Sequence, residues 1–330
     1  MLARCRRPPS SNCPASTTPT DHARPALPAG HVRAVRPRRV AGGRPVCSPS
    51  ALASTTAWAR TWKGAIDVSY ETIIWERSGA VGRLTLNRPD SLNAWTPELG
   101  VELRTIIERD AADDSVRAVL ITGAGRGFSS GADLKAGFDT AEDGMPDVYK
   151  ELHDVYHPAI AGVRRLEKPV VAAVNGPAVG IGCSLALACD LILAAESAFF
   201  GLAFVNIGLM PDGGSTAFVP PAVGRARAFQ MALLGERIPA PQALDWGLVN
   251  WVYPDERLMD EAERLVGRLA AGPTRSYAAS KRALNRFIYG DLHAQLDLEA
   301  ELQHALGRTK DFHEGTAAFV EKRAPAFSGA

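Results

Sequence analysis

The sequence predicts an α/β fold with a substantially parallel sheet, closed by a mostly helical C-terminal stretch. Three observations lead there. Residues 116–122, 170–174 and 191–194 are short apolar runs of the kind that buried parallel strands show. The first two run through glycine-rich turns toward helix-like patterns, so strands and helices alternate. After Pro239 nearly every segment repeats its apolar residues at helical spacing.

Length and charge bound the function. A chain of 330 residues has room for one large domain or two smaller ones, with ample core. The net charge of +1 hides an uneven distribution. Residues 1–66 hold eleven Lys and Arg and a single acid, Asp21; the remaining 26 bases face 35 acids, a body of about −9. A nucleic-acid binder needs a basic face, so that class is disfavoured. No apolar run is long enough to cross a membrane, and no membrane association is expected. The five cysteines form no CxxC pair and no zinc-like spacing with histidine, so no metal site is expected and a reducing compartment fits best.

Taken in order, residues 1–66 are rich in Pro, Arg, Ala, Ser and Thr and lack periodicity. Such a segment buries too little apolar surface to offset its ordering entropy. It reads as a disordered extension, an assigned start upstream of the true one, or an Arg-rich transit peptide, although its prolines oppose the amphipathic helix that a transit peptide needs. The expected location is cytoplasmic, or an organellar matrix if the segment is a transit peptide. Residues 72–75 and 81–86 are strand-like and flank Ser78-Gly79-Ala80, which predicts a hairpin. Thr96-Pro97-Glu98 opens a helix carrying Leu99, Leu103, Ile106 and Ile107. After the strand at 116–122, glycine-rich residues 123–131 lead through Phe128-Ser129-Ser130-Gly131-Ala132-Asp133-Leu134 into an expected helix. Residues 139–146 are loop-like. Residues 148–166 are helical, with an interruption expected at Pro158.

The chain is organised around residues 168–190. An apolar strand at 170–174 turns at Asn175-Gly176-Pro177, and Gly180 and Gly182 keep the backbone slim before a helix at 184–189. A strand, a glycine-rich turn and a helix start gather free N–H groups, an arrangement suited to a developing oxyanion. Ordinary helix–strand packing explains the same residues equally well. Residues 199–209 are apolar, and Met210-Pro211-Asp212-Gly213-Gly214 opens another helix. Helices are then expected at 241–246, Leu258–Ala271, 274–289, 292–307 and 316–322.

Four anchors in this order and spacing carry a resemblance: Leu86-Asn87-Arg88-Pro89 with Leu92-Asn93-Ala94, then residues 128–134, then 171–190, then 208–214. From Tyr70 to the C-terminus the chain resembles the crotonase (enoyl-CoA hydratase/isomerase) superfamily. Its motifs are most similar to the 1,2-epoxyphenylacetyl-CoA isomerase-like and dienoyl-CoA isomerase-like members. The resemblance implies a spiral of ββα units over residues 67–255, a helical trimerisation region over 256–330, and a homotrimer or dimer of trimers. It also implies acyl-CoA substrates, no separate cofactor (CoA being part of the substrate), and an enolate held by two backbone N–H groups, here those of Ala132 and Ile181. Leu92, Ala94, Ser130, Gly131, Asp133, Leu134 and Gly180 fall where relatives hold CoA. Lys322 matches a lysine that approaches CoA phosphate from a neighbouring subunit, although a solvated charge is the plainer account of it.

The departures from the family pattern narrow the chemistry. Where hydratases carry two glutamates this chain has Ser184 and Phe204, neither of which can move a proton as a carboxyl does. Asp212 matches the aspartate of the isomerases; as a residue just before a helix it could equally be an N-cap. His157 matches in spacing the histidine of 4-chlorobenzoyl-CoA dehalogenases, whose nucleophilic aspartate falls at Asp212, and could also be a plain surface or pocket histidine. The expected function is therefore an acyl-CoA isomerase acting on a bulky, cyclic or aromatic enoyl group. The alternatives are an enoyl-CoA hydratase of fatty-acid oxidation, a dehalogenase-like hydrolase, and, least favoured, a non-catalytic scaffold.

Overall fold

The computed structural model describes residues 70–137 and 139–330, so the expectations for residues 1–66 lie outside the described residues. Strands β1 (Ile73–Ser78) and β2 (Val81–Leu86) pair antiparallel about Gly79, which turns at φ +58°. On β2 the side chains alternate, and Leu84 and Leu86 point into the core. Helix α1 (Pro97–Thr105) starts where Thr96 Oγ1 accepts the Leu99 amide at 3.4 Å. It continues as a π-helical turn, Ile106–Asp110, and buries Leu99, Leu103, Ile106 and Ile107. Strand β3 (Ala118–Gly123) lies parallel to β2, and every residue on it is buried.

Two expectations change at this point. Residues 128–134 do not lead into a helix. The amides of Ser129, Ser130 and Asp133 donate instead to the carbonyls of Pro177, Leu92 and Trp95, at 2.9, 2.9 and 2.8 Å. Pairing across the chain thus consumes the donors that a helix would need. Pro158 does not break the next helical run either. Helix α2 (Val148–Glu151) passes through a π-helical turn, Leu152–Tyr156, into α3 (His157–Arg165). Pro158 falls in the first turn of α3, beside the rearranged hydrogen bonding of the π turn, so its missing N–H is tolerated.

A repeating unit follows. Strand β4 (Val170–Val174) joins the large sheet, β5 (Ala178–Val179) joins a small one, and α4 (Ile181–Ala188) crosses back. Strands β6 (Leu191–Ala195) and β7 (Phe199–Gly201) repeat the pattern, ending in α5 (Ser215–Val223). Helix α6 (Arg225–Leu234), β8 (Ile238–Pro239), α7 (Ala240–Asp245) and β9 (Trp251–Tyr253) complete the sheets. Their orders are β1-β2-β3-β4-β6-β9 and β5-β7-β8, and beyond the first hairpin every pair in the large sheet is parallel.

Four helices follow: α8 (Leu258–Ala271), α9 (Thr274–Ile288), α10 (Leu292–Leu306) and α11 (Lys310–Glu321). The last begins earlier than expected, because Thr309 Oγ1 accepts the Phe312 amide at 3.1 Å and caps it. This region packs within the same compact unit as the sheets, with α8 against β2, β3, β4 and β6. Among the described residues no helix is long and apolar enough to cross a membrane.

One buried side chain ties the first loop to the sheet. Asn93, fully buried and at φ +57°, accepts the Arg88 amide at 2.8 Å through Oδ1. Its Nδ2 donates to the carbonyls of Ala124 and Gly127 at 3.0 and 2.8 Å. Replacing it with Ala strands three backbone groups, each costing ~1–3 kcal/mol when buried unpaired. Asn93→Ala is therefore expected to lose about 3 kcal/mol or more in chemical denaturation; a loss below about 1 kcal/mol would contradict this role.

Candidate active site

Two loops meet at their glycines. Gly131 sits at φ +99° and Gly180 at φ +54°, ψ −130°, regions that side chains avoid. A Cβ on Gly131 would lie 3.1 Å from the Val179 carbonyl and 3.7 Å from Gly180 Cα. The loops are stitched together by the Val179 amide donating to Ser129 O at 2.9 Å. Trp95 bridges to Ala132 on the far side, with the Trp95 amide donating to Gly131 O at 2.7 Å. The amides that follow the two glycines, those of Ala132 and Ile181, have no backbone acceptor among the described residues. Ile181 is the first residue of α4, where helix geometry leaves the N–H without a partner.

Both residues line one cavity of about 200 Å³. Its wall is mainly apolar and includes Leu134, Leu152, Leu202, Phe204, Leu209 and Phe319. Ser130, Gly131 and Gly180 are also at its surface, as are the polar side chains of Glu151, Tyr156, Asn206, Asp212 and Gln303.

Asp212 is the more deeply buried of the two acids that line the cavity. Residue 212 is 6% exposed, and burial drives its carboxyl well above the ordinary aspartate range. Gln303 opposes that shift, its Nε2 donating to Oδ2 at 2.7 Å, whereas the nearby Glu299 and Glu151 reinforce it. Oδ1 is buried with no hydrogen bond among the described residues. The carboxylate does not cap a helix: α5 starts behind Gly214, with no side-chain cap. What meets Ser215 is the Asp212 carbonyl, which accepts Ser215 N at 3.1 Å and Ser215 Oγ at 2.8 Å.

The segment carrying Asp212 is clamped from two sides. Ser184, fully buried, donates its Oγ to Asp212 O at 2.8 Å, so this residue anchors the aspartate's backbone. Gly213, at φ +63°, has no room for a side chain, since a Cβ would lie 2.3 Å from Ile181 Cδ1. From α10, Glu299 accepts the Gly214 amide at 2.7 Å and also the Thr216 hydroxyl. Burial lifts Glu299 to about 7.

The remaining candidates are placed as follows. His157 is not among the cavity-lining residues. It is buried beside the wall with Nε2 3.7 Å from Glu299 Oε2, and burial pushes it down to about 3, which keeps the ring neutral near pH 7. Leu92 and Ala94 lie behind the cavity surface and support the Ser130 loop, with Leu92 O accepting the Ser130 amide at 2.9 Å. Asp133 pairs with Arg88 at 2.9 Å, outside the lining. Lys322 ends α11 in an exposed left-handed turn, also outside the lining. Among the described residues no three His, Cys, Asp or Glu side chains gather as a metal site.

Sequence reasoning missed Glu151 and Gln303. Glu151 leads into the π turn that ends at Tyr156, and both residues reach the cavity; burial raises the Glu151 carboxyl. Both sit in stretches already rich in polar residues, so no local pattern singled either one out.

Known proteins match the chain in sequence and in fold. The family model described as "Enoyl-CoA hydratase/isomerase" matches residues 76–330. The chain is 42% identical over 246 residues to the 1,2-epoxyphenylacetyl-CoA isomerase of Escherichia coli K12, covering 74% of this chain and 94% of that protein. It is also 42% identical over 262 residues to a probable enoyl-CoA hydratase of Rhodobacter capsulatus, covering 79% of this chain and 100% of the relative. Among solved structures, the enoyl-CoA hydratase from Mycobacterium avium subsp. paratuberculosis K-10 matches with TM-score 0.72 and 42% identity, over 79% of this chain and 100% of that one.

The raised Asp212 carboxyl has a consequence for stability. A carboxyl that holds its proton more tightly when folded costs the native state stability as pH rises above the unfolded pKa, and the penalty is complete above the folded one. Below the unfolded value of about 4 that penalty vanishes. Asp212→Asn is therefore expected to melt at higher temperature than the parent at pH 8, with the difference shrinking steadily toward pH 4. A gain that does not depend on pH would contradict the buried, proton-holding state.

Proposed function

The chain belongs to the enoyl-CoA hydratase/isomerase family, and we propose that within it the protein is an acyl-CoA isomerase that shifts a double bond through a thioester enolate. One observation carries this reading. A buried aspartate shares a cavity with two backbone amides, and among the described residues neither those amides nor one of its carboxylate oxygens has a hydrogen-bond partner, while Ser184 and Phe204 hold the other two acid–base positions.

In the proposed step, Asp212 Oδ1 takes a proton from the carbon chain and the electron pair moves onto the thioester oxygen. The N–H groups of Ala132 and Ile181 stabilise that oxygen, each worth ~2.7–4 kcal/mol in a dry site. Asp212 then returns the proton at another carbon, leaving the double bond displaced and the atom count unchanged. Raised basicity suits the task, since a carboxylate that binds its proton tightly competes better for a carbon-bound one. The side chains of Leu202, Phe204, Ile207, Leu209 and Phe319 offer an apolar wall to a bulky, cyclic or aromatic acyl group. CoA arrives as part of the substrate. Ser130, Gly131, Leu134 and Gly180 border its path, and Lys322 meets a phosphate of CoA bound to a neighbouring subunit. Exposed Leu284 and Phe287 on α9 and Leu298 and Leu302 on α10 support assembly into a trimer or dimer of trimers.

A second reading, hydration, is favoured by Glu151, which with Asp212 gives the cavity two carboxyls. Relatives bearing the name hydratase add to it.

Kinetics separate the two. With a ring-bearing 3-enoyl-CoA, Asp212→Asn is expected to keep thioester binding within a few-fold while turnover falls by ~10²–10⁴. Turnover in the parent is expected to climb with pH until Asp212 is fully ionised. Hydration of crotonyl-CoA is expected to be at least ~10² slower than in a two-glutamate hydratase. Parental turnover in Asp212→Asn, or brisk hydration, would overturn the isomerase reading.

A further inference from the structure

Gln303 is completely buried, and both ends of its amide are engaged. Oε1 accepts the Met210 amide at 3.1 Å, while Nε2 donates to Asp212 Oδ2 at 2.7 Å. The first bond fixes the second. A backbone N–H can only donate, so the oxygen of the amide must face Met210 and the NH₂ must face the carboxylate. Asp212 therefore presents Oδ2 to a permanent donor, and Oδ1 is the oxygen left without a hydrogen bond. Four residues earlier on the same helix, Glu299 holds the Gly214 amide on the far side of the aspartate. Asp212 is thus gripped at residues 210, 212 and 214 by one turn of α10.

Resting on the isomerase reading of Asp212, we infer that Gln303 is a positioning residue: it dictates that Oδ1 carries the migrating proton and holds that oxygen toward the substrate. A neutral donor serves here where a lysine or arginine would fail. A cation would keep Asp212 firmly ionised and a poor base, and a carboxylate would repel it. The amide orients the group while leaving its basicity largely intact, lowering it only by one neutral hydrogen bond.

The test is a comparison of Gln303→Leu and Gln303→Glu, each alone and with Asp212→Asn, by steady-state kinetics across pH with melting curves. Gln303→Leu is expected to lower kcat by about tenfold to a hundredfold, in line with the cost of a misplaced catalytic group. KM is expected to stay within about threefold, because the side chain grips the base and not the thioester. The pH at half-maximal rate is expected to move up, because the bond that favoured ionised Asp212 is gone. A merely structural role would lower the melting temperature and leave the profile in place.

Gln303→Glu keeps the shape, and when protonated it can still accept Met210 N–H and donate to Oδ2. Its profile is expected to be bell-shaped, with activity recovered toward low pH and lost as the new carboxyl ionises. If Gln303→Leu does not fold, this bell shape alone carries the test, and a parental profile in Gln303→Glu overturns the inference. In the Asp212→Asn background, neither change is expected to lower the residual rate more than about twofold. Full additivity there, or a parental rate and profile in Gln303→Leu alongside an inactive Asp212→Asn, would overturn the role of Gln303. An active Asp212→Asn would instead overturn the isomerase reading beneath it.

Discussion

The contact between the loops at Gly131 and Gly180 is the constraint on which the rest of the site depends. Two amides converge on one oxygen only if two backbones come nearly to van der Waals distance, and a Cβ on either glycine would sit 3.1 or 3.6 Å from the other loop's backbone. Both glycines also adopt conformations that side chains disfavour. Much of the surrounding structure maintains this approach. Asn93 fixes the loop before Gly131 to the sheet, Asn175 Nδ2 donates to Gly123 O at 2.9 Å, and the bridges at Ser129–Ala178 and Trp95–Ala132 hold both sides. The ββα unit of β4, β5 and α4 supplies the remainder, because it delivers the helix start that carries Ile181.

Beside these two amides, in the same cavity, the chain buries a carboxyl. Asp212 lies between a serine that binds its backbone, a glycine that admits no side chain, and a helix that supplies Gln303 and Glu299. Among the described residues no cation contacts it, so burial outweighs the one hydrogen bond from Gln303 and the proton is held tightly. Under the proposed isomerase reading, the feature that destabilises the ionised fold also strengthens the group as a base, a common trade between stability and reactivity. His157 extends the arrangement outward as a neutral ring against Glu299.

The fold and half of the site were legible in the sequence. The strands at 170–174 and 191–194, the C-terminal helices and the two glycine loops follow from local periodicity and turn chemistry. Ala132, Ile181 and Asp212 were reachable because each sits beside a glycine motif whose geometry is set within a few residues. The helix expected after Leu134 was not found, because long-range pairing with residues 92, 95 and 177 outcompetes local propensity there. Gln303 was invisible for a similar reason. It meets Asp212 across 91 residues of chain, and nothing near either residue announces the contact. Glu151 reaches the cavity from the end of α2, just before a π turn that no sequence signal marked.

The central claim is that the amides of Ala132 and Ile181 draw electron density onto a thioester oxygen. Infrared difference spectroscopy with a saturated acyl-CoA, ¹³C-labelled at the thioester carbonyl, measures this directly without turnover. The account predicts that the carbonyl stretch of the bound ligand falls well below its value in solution. In Gly131→Ala, whose Cβ meets the Val179 carbonyl and forces the loops apart, it should return most of the way. A bound carbonyl that absorbs at its solution frequency in the parent protein would contradict the account.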